Sequence, residues 1–193
     1  IGLQYVHAHI RYVEAMAKLG LADETWNGLA LINPVGIKDV VPNAELRQSN
    51  SYFSSSDGKF NNRYDAQERF GELKNGEVAV KGGWRIYSSG PGIYMNQLIG
   101  NVLGIRQDGG DLIVDPVLPA SLDGLHLDFS YDGIPATFIY RIGTEKSGEI
   151  TLNGQSIGGK VQNNRYREGG LRISRGEFER LADKNSNQIE IFV

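Results

Sequence analysis

Residues 125–141 read Leu-His-Leu-Asp-Phe-Ser-Tyr-Asp-Gly-Ile-Pro-Ala-Thr-Phe-Ile-Tyr-Arg. Two β-favouring runs, 125–129 and 137–141, stand on either side of the turn pair Asp132-Gly133. Asp-Gly supplies the left-handed backbone that a tight hairpin requires, so this stretch predicts two antiparallel strands. The same signature extends outward. Runs at 112–114, 149–152, 171–173 and 188–192 are short and β-favouring, and Asn153-Gly154 and Gly169-Gly170 offer further turns. One helix interrupts them, with Ser174 and Glu177 at capping-box spacing ahead of Phe178 and Leu181. Many short strands with glycine-rich turns predict a β-sandwich over the last ninety or so residues.

Before Gly104 the pattern is helical or irregular. Tyr5, Val6, His9, Ile10, Tyr12, Val13, Met16 and Ala17 recur at three- and four-residue spacing and Gly20 ends the run. Trp26, Leu29, Ala30 and Leu31 follow Asp23 and Glu24 and stop before Asn33-Pro34, predicting a helical hairpin over 3–32. From 35 to 80 periodicity fades into Asn, Ser, Asp and Gly with aromatics spaced through it. Unpatterned spans of that length are often functional. Leu98, Ile99, Val102 and Leu103 form the stripe of a last helix that opens at Ile93 and ends at Gly104. The fold class is α+β, divided into residues 1–105 and 106–193.

The 193 residues carry a net charge of only −3 with Lys and Arg scattered, so neither a nucleic-acid footprint nor a basic membrane patch is indicated. With no cysteine there is no disulfide, thiolate nucleophile or sulfur-ligated zinc, which suits a cytoplasmic location. No stretch approaches the roughly 18 apolar residues of a membrane span. The opening Ile1-Gly2-Leu3-Gln4-Tyr5, without Met, reads as the interior of a longer protein; a lost leading Met is the plain alternative.

The chemistry concentrates between 82 and 92. A helix N-terminus exposes unpaired N–H groups and the positive end of its dipole. Ser88 and Ser89 add hydroxyls at the helix opening, and Gly90 and Gly92 permit close approach of a ligand. Pro91 suits a first helical turn, and Trp84 and Tyr87 offer flat faces for a sugar ring. A phosphate beside a sugar satisfies every part of this arrangement. A capped helix after a tight turn, with no ligand at all, accounts for the same residues.

The run Gly82-Gly83-Trp84-Arg85-Ile86-Tyr87-Ser88-Ser89-Gly90-Pro91-Gly92 resembles the Gly-Gly-Trp-Thr-Trp-Tyr-Thr-Gly-Ser-Ala-Gly stretch of glycoside hydrolase family 94, the cellobiose phosphorylase family. Leu103-Gly104-Ile105-Arg106 and Val114-Asp115-Pro116 are similar to that family's Leu-Gly-Ile-Arg and Asp-Pro pair. Tyr5-Val6-His7-Ala8, Arg11-Tyr12, Glu14-Ala15-Met16 and Asn33-Pro34 fit its preceding helices, so the similarity runs through most of residues 3–135. Val41-Pro42-Asn43-Ala44, Leu46-Arg47-Gln48-Ser49-Asn50, Tyr52-Phe53-Ser54-Ser55-Ser56-Asp57 and the Ser-Ser-Gly-Pro-Gly ending look most like members that act on β-1,2-linked glucooligosaccharides.

The resemblance implies that residues 1–105 are the last helices and loops of an (α/α)6 barrel, followed by a jelly-roll-like β-sandwich. It implies reversible, inverting phosphorolysis: phosphate attacks the anomeric carbon while a carboxylic acid protonates the leaving oxygen. Inorganic phosphate is then a substrate, and no cofactor or metal is called for. By position, Ser88, Ser89 and Gly90 become phosphate contacts. Trp84, Tyr87, Arg47, Gln48, Asn50 and Tyr52 become sugar contacts, with Asn50 where cellobiose phosphorylases hold an acceptor-binding Glu. Ile37 stands where the family has a phosphate-binding His, so that contact is absent or falls to a residue such as Lys38.

The family's general acid lies upstream of Ile1, so this chain alone is expected to be inactive without its N-terminal part, and homodimerisation of the parent stays open. Asp57, Asp65 and Glu68 are expected to be solvated loop charges, and His7, His9 and His126 packed or hydrogen-bonded residues. Two alternatives remain: a non-catalytic carbohydrate-binding or structural module, and the phosphorylase-like tail of a cyclic β-1,2-glucan synthase.

Overall fold

The computed structural model describes residues 6–33, 42–46, 57–82 and 92–193. They divide into two compact units, one of Ile1–Ala15 with Asn27–Gln97 and one of Met16–Trp26 with Leu98–Val193.

The predicted hairpin is present as α1 (Val6–Leu19) and α2 (Ala22–Ile32). Gly20 stops α1 in a left-handed conformation, φ +78°. In the first unit, Ile10, Val13, Leu29 and Ile32 are buried, the outcome of the three-and-four spacing that puts them on one face. The helices approach closely at Gly28, where a Cβ would come within 2.8 Å of the Val13 side chain. His9 bonds across the same contact, its Nε2 lying 2.7 Å from the Gly28 carbonyl oxygen. A hydrogen-bonded role was expected for this histidine, and the geometry supplies one.

The span 57–82 corrects the expectation of an unpatterned region. Strands β1 (Ala44–Leu46), β2 (Asp57–Gly58) and β3 (Val80–Gly82) form a small sheet in the order β1-β3-β2. Helices α3 (Arg63–Arg69) and α4 (Glu72–Asn75) lie between β2 and β3. The Asn62 side chain caps α3 by accepting from the Tyr64 and Asp65 amides. No residue of α3 is buried, so an apolar periodicity had nothing to register. Residues 35–41 and 47–56 of that expectation lie outside the described residues.

The second unit holds the remaining strands, in two sheets. One sheet runs β10-β11-β5-β4 and the other β6-β7-β12-β8-β9. The first contains β4 (Ile105–Asp108), β5 (Asp111–Val114), β10 (Lys160–Val161) and β11 (Leu171–Ile173). The second contains β6 (His126–Tyr131), β7 (Ile134–Arg141), β8 (Ile150–Leu152), β9 (Gln155–Ser156) and β12 (Gln188–Phe192). Asp132-Gly133 and Asn153-Gly154 turn two hairpins with positive φ at all four residues, the type I′ requirement. Phe138, Tyr140, Leu152 and Ile189 from one sheet and Leu112, Val114 and Ile173 from the other are fully or almost fully buried. Helix α5 (Ile93–Gln97) continues as a π-turn over Leu98–Val102. Helix α6 (Arg175–Leu181) starts from Ser174, whose side chain accepts from the Glu177 amide, and drives Phe178 edge-on against Tyr131 at 4.8 Å between centroids.

Three details differ from the sequence expectations. Strand β4 pairs antiparallel with β5 through Gly109-Gly110, both at positive φ, and was not anticipated. Gly169-Gly170 is not a turn: a Cβ there would lie 2.2 Å from the Gln162 carbonyl oxygen and 2.0 Å from that of Val114, so these glycines serve close backbone packing. The last helix does not carry a 3.6-residue stripe through to Leu103. In the π-turn the Leu103 amide reaches back five residues to the Leu98 carbonyl, leaving Leu98 and Ile99 half-buried. In addition, β12 runs parallel to β7 and antiparallel to β8, so the larger sheet is mixed.

Candidate functional site

The candidate segments are placed by the small sheet. β1 and β3 are parallel neighbours with Leu46 opposite Gly82. The chain therefore leaves both strands at the same end, toward Arg47 in one case and Gly83 in the other. β2 is antiparallel to β3, with Asp57 opposite Lys81, so the chain also re-enters the sheet at that end. β3 is the central strand. Leu46 and Asp57 therefore flank β3 at the end where it stops, roughly 10 Å apart by strand spacing.

On the far side of residues 83–91 lies Gly92, exposed at the opening of α5. Ile93 and Tyr94, the first residues of that helix, pack against Ile10 and Ile32, which fixes the opening to the α1–α2 pair. Burial raises the pKa of the Tyr94 phenol, holding it in the protonated form. Gln97 is buried a turn later.

Arg47, Gln48, Asn50, Tyr52, Trp84, Tyr87, Ser88, Ser89 and Gly90, together with Ile37 and Lys38, lie outside the described residues. What the structure supplies for them is the frame: a parallel strand pair that emits both segments at one end, and a packed helix that receives the second.

The other sequence candidates fall into structural roles. Asp65 is on α3, not in a loop. The Asn61 amide, a bond from Arg69 and the attraction of its charge hold its carboxyl below the usual range, and Arg69 bridges on to Glu72. Glu68 and His126 are exposed. The Asp57 backbone belongs to β2. No grouping of three or more His, Asp or Glu suited to a metal occurs among the described residues, and no described helix is long and apolar enough to cross a membrane.

Sequence reasoning did not foresee the polar cluster around Asp115. The carboxylate is buried between two guanidinium groups: Arg106 NH2 donates to its Oδ2 at 3.0 Å and Arg167 NH1 to its Oδ1 at 2.7 Å. The Gly170 amide donates to Oδ1 at 2.9 Å. Arg106 also donates to the Gly100 carbonyl at 2.7 Å, holding the π-turn. Gly104, at φ +70°, makes this possible because a Cβ there would sit 2.2 Å from the Pro116 nitrogen. Leu-Gly-Ile-Arg and Asp-Pro, noticed as separate words of a resemblance, are thus the two halves of one ion pair.

Comparison with known proteins agrees with this architecture. The family model for the glycoside phosphorylase C-terminal domain matches residues 104–192, the two-sheet part of the structure. The two-sheet part is thus similar throughout to a glycoside phosphorylase C-terminal domain, and the similarity to phosphorylases extends over most of the chain. In particular, the chain is 55% identical over 171 residues to the 1,2-β-oligoglucan phosphorylase of Listeria innocua serovar 6a, covering 89% of this chain and 16% of that protein. It is also 30% identical over 132 residues to the cyclic β-(1,2)-glucan synthase NdvB of Rhizobium meliloti, covering 68% of this chain and 4% of that protein. The chain therefore spans under a fifth of either relative.

Proposed function

We propose that this chain forms the phosphate- and acceptor-sugar side of an inverting phosphorylase that converts β-1,2-linked glucooligosaccharides and phosphate to glucose 1-phosphate. The observation that carries the geometry is the Leu46–Gly82 register. In it Leu46 and Gly82, the residues that precede the segment bearing Asn50 and Tyr52 and the segment bearing Trp84, Tyr87, Ser88 and Ser89, are neighbours at one end of one sheet. Parallel strand ends are a recurrent place for ligand sites, since the loops that follow neighbouring strands meet there. The reaction and linkage come from the 55% identity to an enzyme named for 1,2-β-oligoglucans.

In this scheme the helices of residues 1–105 complete an (α/α)6 barrel with the remainder of a longer protein. Ser88, Ser89 and Gly90 hold phosphate against the opening of α5, where unpaired amides and the helix dipole favour an anion. Phosphate oxygen bonds to the anomeric carbon as the glycosidic bond breaks. A carboxylic acid from outside this chain gives its proton to the departing sugar oxygen. Asn50, a neutral side chain, takes the place of a carboxylate in contacting the acceptor sugar.

Incubating the longer protein with β-1,2- and β-1,4-linked glucooligosaccharides, with and without phosphate, tests the proposal. Glucose 1-phosphate forming only from the β-1,2 substrate and only with phosphate is the expected result. Phosphate-independent release of glucose refutes it. The identity to a cyclic glucan synthase favours a second reading, a phosphorylase-like part of such a synthase, which predicts glucan chain shortening only alongside a polymerising activity in the same polypeptide.

A further inference from the structure

The second unit contains a cavity of about 330 Å3 between the end of α1 and the segment 162–167, within the usual range for small-molecule sites. Its wall carries Arg106, Arg165, Arg167 and Lys18 against one carboxylate, Asp115. Asp115 is shared by Arg106 and Arg167, so that cluster alone retains a unit of positive charge. The carbonyls at the end of α1, which would oppose an anion, are covered: Arg167 Nε donates to Ala17 at 3.4 Å and the Asn164 amide to Lys18 at 3.3 Å.

The segment combines a fixed backbone with uncommitted side chains. The Gln162 amide donates to the Gly170 carbonyl at 2.8 Å, the Tyr166 amide to the Asn164 side chain at 2.9 Å, and Arg167 anchors the far end. The stem of Arg167 lies so near Gly20 that a Cβ there would be 2.7 Å from its Cδ. Yet Arg165 is exposed with no ion pair or hydrogen bond among the described residues, and the Tyr166 ring is 59% exposed beside it. Holding an exposed arginine and an aromatic ring on a pinned loop lowers the entropy lost when they close on a ligand.

We infer that this cavity is a binding site for a phosphorylated sugar, the phosphate meeting Arg165 and the Arg106–Arg167 pair and the sugar ring lying against Tyr166. Arginine forks suit phosphate oxygens, and an aromatic face with neighbouring amides, here Gln162 and Asn163, suits a hydroxylated ring. None of the residues lining it belongs to the segments assigned to catalysis above, and the inference does not depend on that assignment.

Calorimetric titration of the full chain with glucose 1-phosphate, inorganic phosphate and sophorose tests the inference. Glucose 1-phosphate is expected to bind saturably and more tightly than inorganic phosphate, with affinity falling as salt rises. Both exposed variants, Arg165→Ala and Tyr166→Ala, are expected to weaken it at least about fivefold, on the scale of one lost charged or ring contact. Absence of binding, equal binding of inorganic phosphate or sophorose, or affinity unaltered by Arg165→Ala overturns the inference. Loss of binding in Ser88→Ala with retention in Arg165→Ala also overturns it, while leaving the proposed catalytic role of Ser88 standing.

Discussion

Two aspartates show how differently the two units use charge. Asp65 in the first unit is tied to Asn61 and to Arg69, which bridges on to Glu72, all within a stretch of a dozen residues on an exposed or half-exposed surface. Asp115 in the second unit is buried and gathers Arg106, Arg167 and Gly170, partners 9, 52 and 55 residues away. A local, solvated ladder adds little to a fold, since water competes for every charge in it. A buried carboxylate held by distant residues ties together the π-turn, both edges of β5 and the segment 162–168. Loss of a partner there leaves a buried charge short of the contacts that offset its desolvation.

The largest effect is therefore expected at Asp115. Asp115→Ala removes the carboxylate shared by two half-buried arginines and should cost about 2–4 kcal/mol in chemical denaturation, less than for a fully buried pair because water still reaches the guanidinium groups; a loss no greater than that of Asp65→Asn would erase the contrast. Tyr140→Phe comes next. The Tyr140 hydroxyl donates to the Leu103 carbonyl at 2.7 Å within the core, and leaving that oxygen unpaired should cost about 1–3 kcal/mol. Gly154→Ala probes the turn alone, because nothing lies within 4 Å of the added Cβ while φ is +77°. A cost of about 1–2 kcal/mol follows from the backbone preference, and no cost would mean the hairpin tolerates another turn type.

The smallest expected change concerns acid. Asp111 is held below the ordinary carboxylate range by its hydrogen bond from Arg172 and the Arg175 amide. A depressed folded-state pKa contributes stability that is present above the unfolded value and lost as pH falls through the folded one. Asp111→Asn should flatten the acid end of a stability-against-pH curve and leave its shape near neutrality unaltered; an unchanged acid limb would show that the Arg172 contact does not persist in solution.

The same local-versus-distant contrast explains what the sequence revealed. The runs at 171–173 and 188–192 coincide with β11 and β12, and the Asp-Gly and Asn-Gly turns sit where expected, because each is encoded by adjacent residues. Helix α3 escaped notice for want of a buried face, although Asn62 was a readable cap. Strand β4 escaped because Ile105-Arg106-Gln107-Asp108 holds a single apolar residue, too few to show an alternation. The parallel β1–β3 pair, which frames the candidate site, joins residues 36 positions apart, and no local pattern announces such a pairing. Arg167 carries no signal of its own until Asp115 is seen beside it.

The claim on which the rest turns is that Ser88 and its neighbours hold phosphate at the end of β3 while the segment after β1 handles the sugar. Steady-state phosphorolysis by the longer protein carrying Ser88→Ala, with phosphate and β-1,2-glucooligosaccharide varied in turn, tests it most directly. The KM for phosphate should rise about tenfold or more, the scale of one lost charge-assisted hydrogen bond, with the KM for the sugar little altered. A rise confined to the sugar, or no change in either, would contradict it.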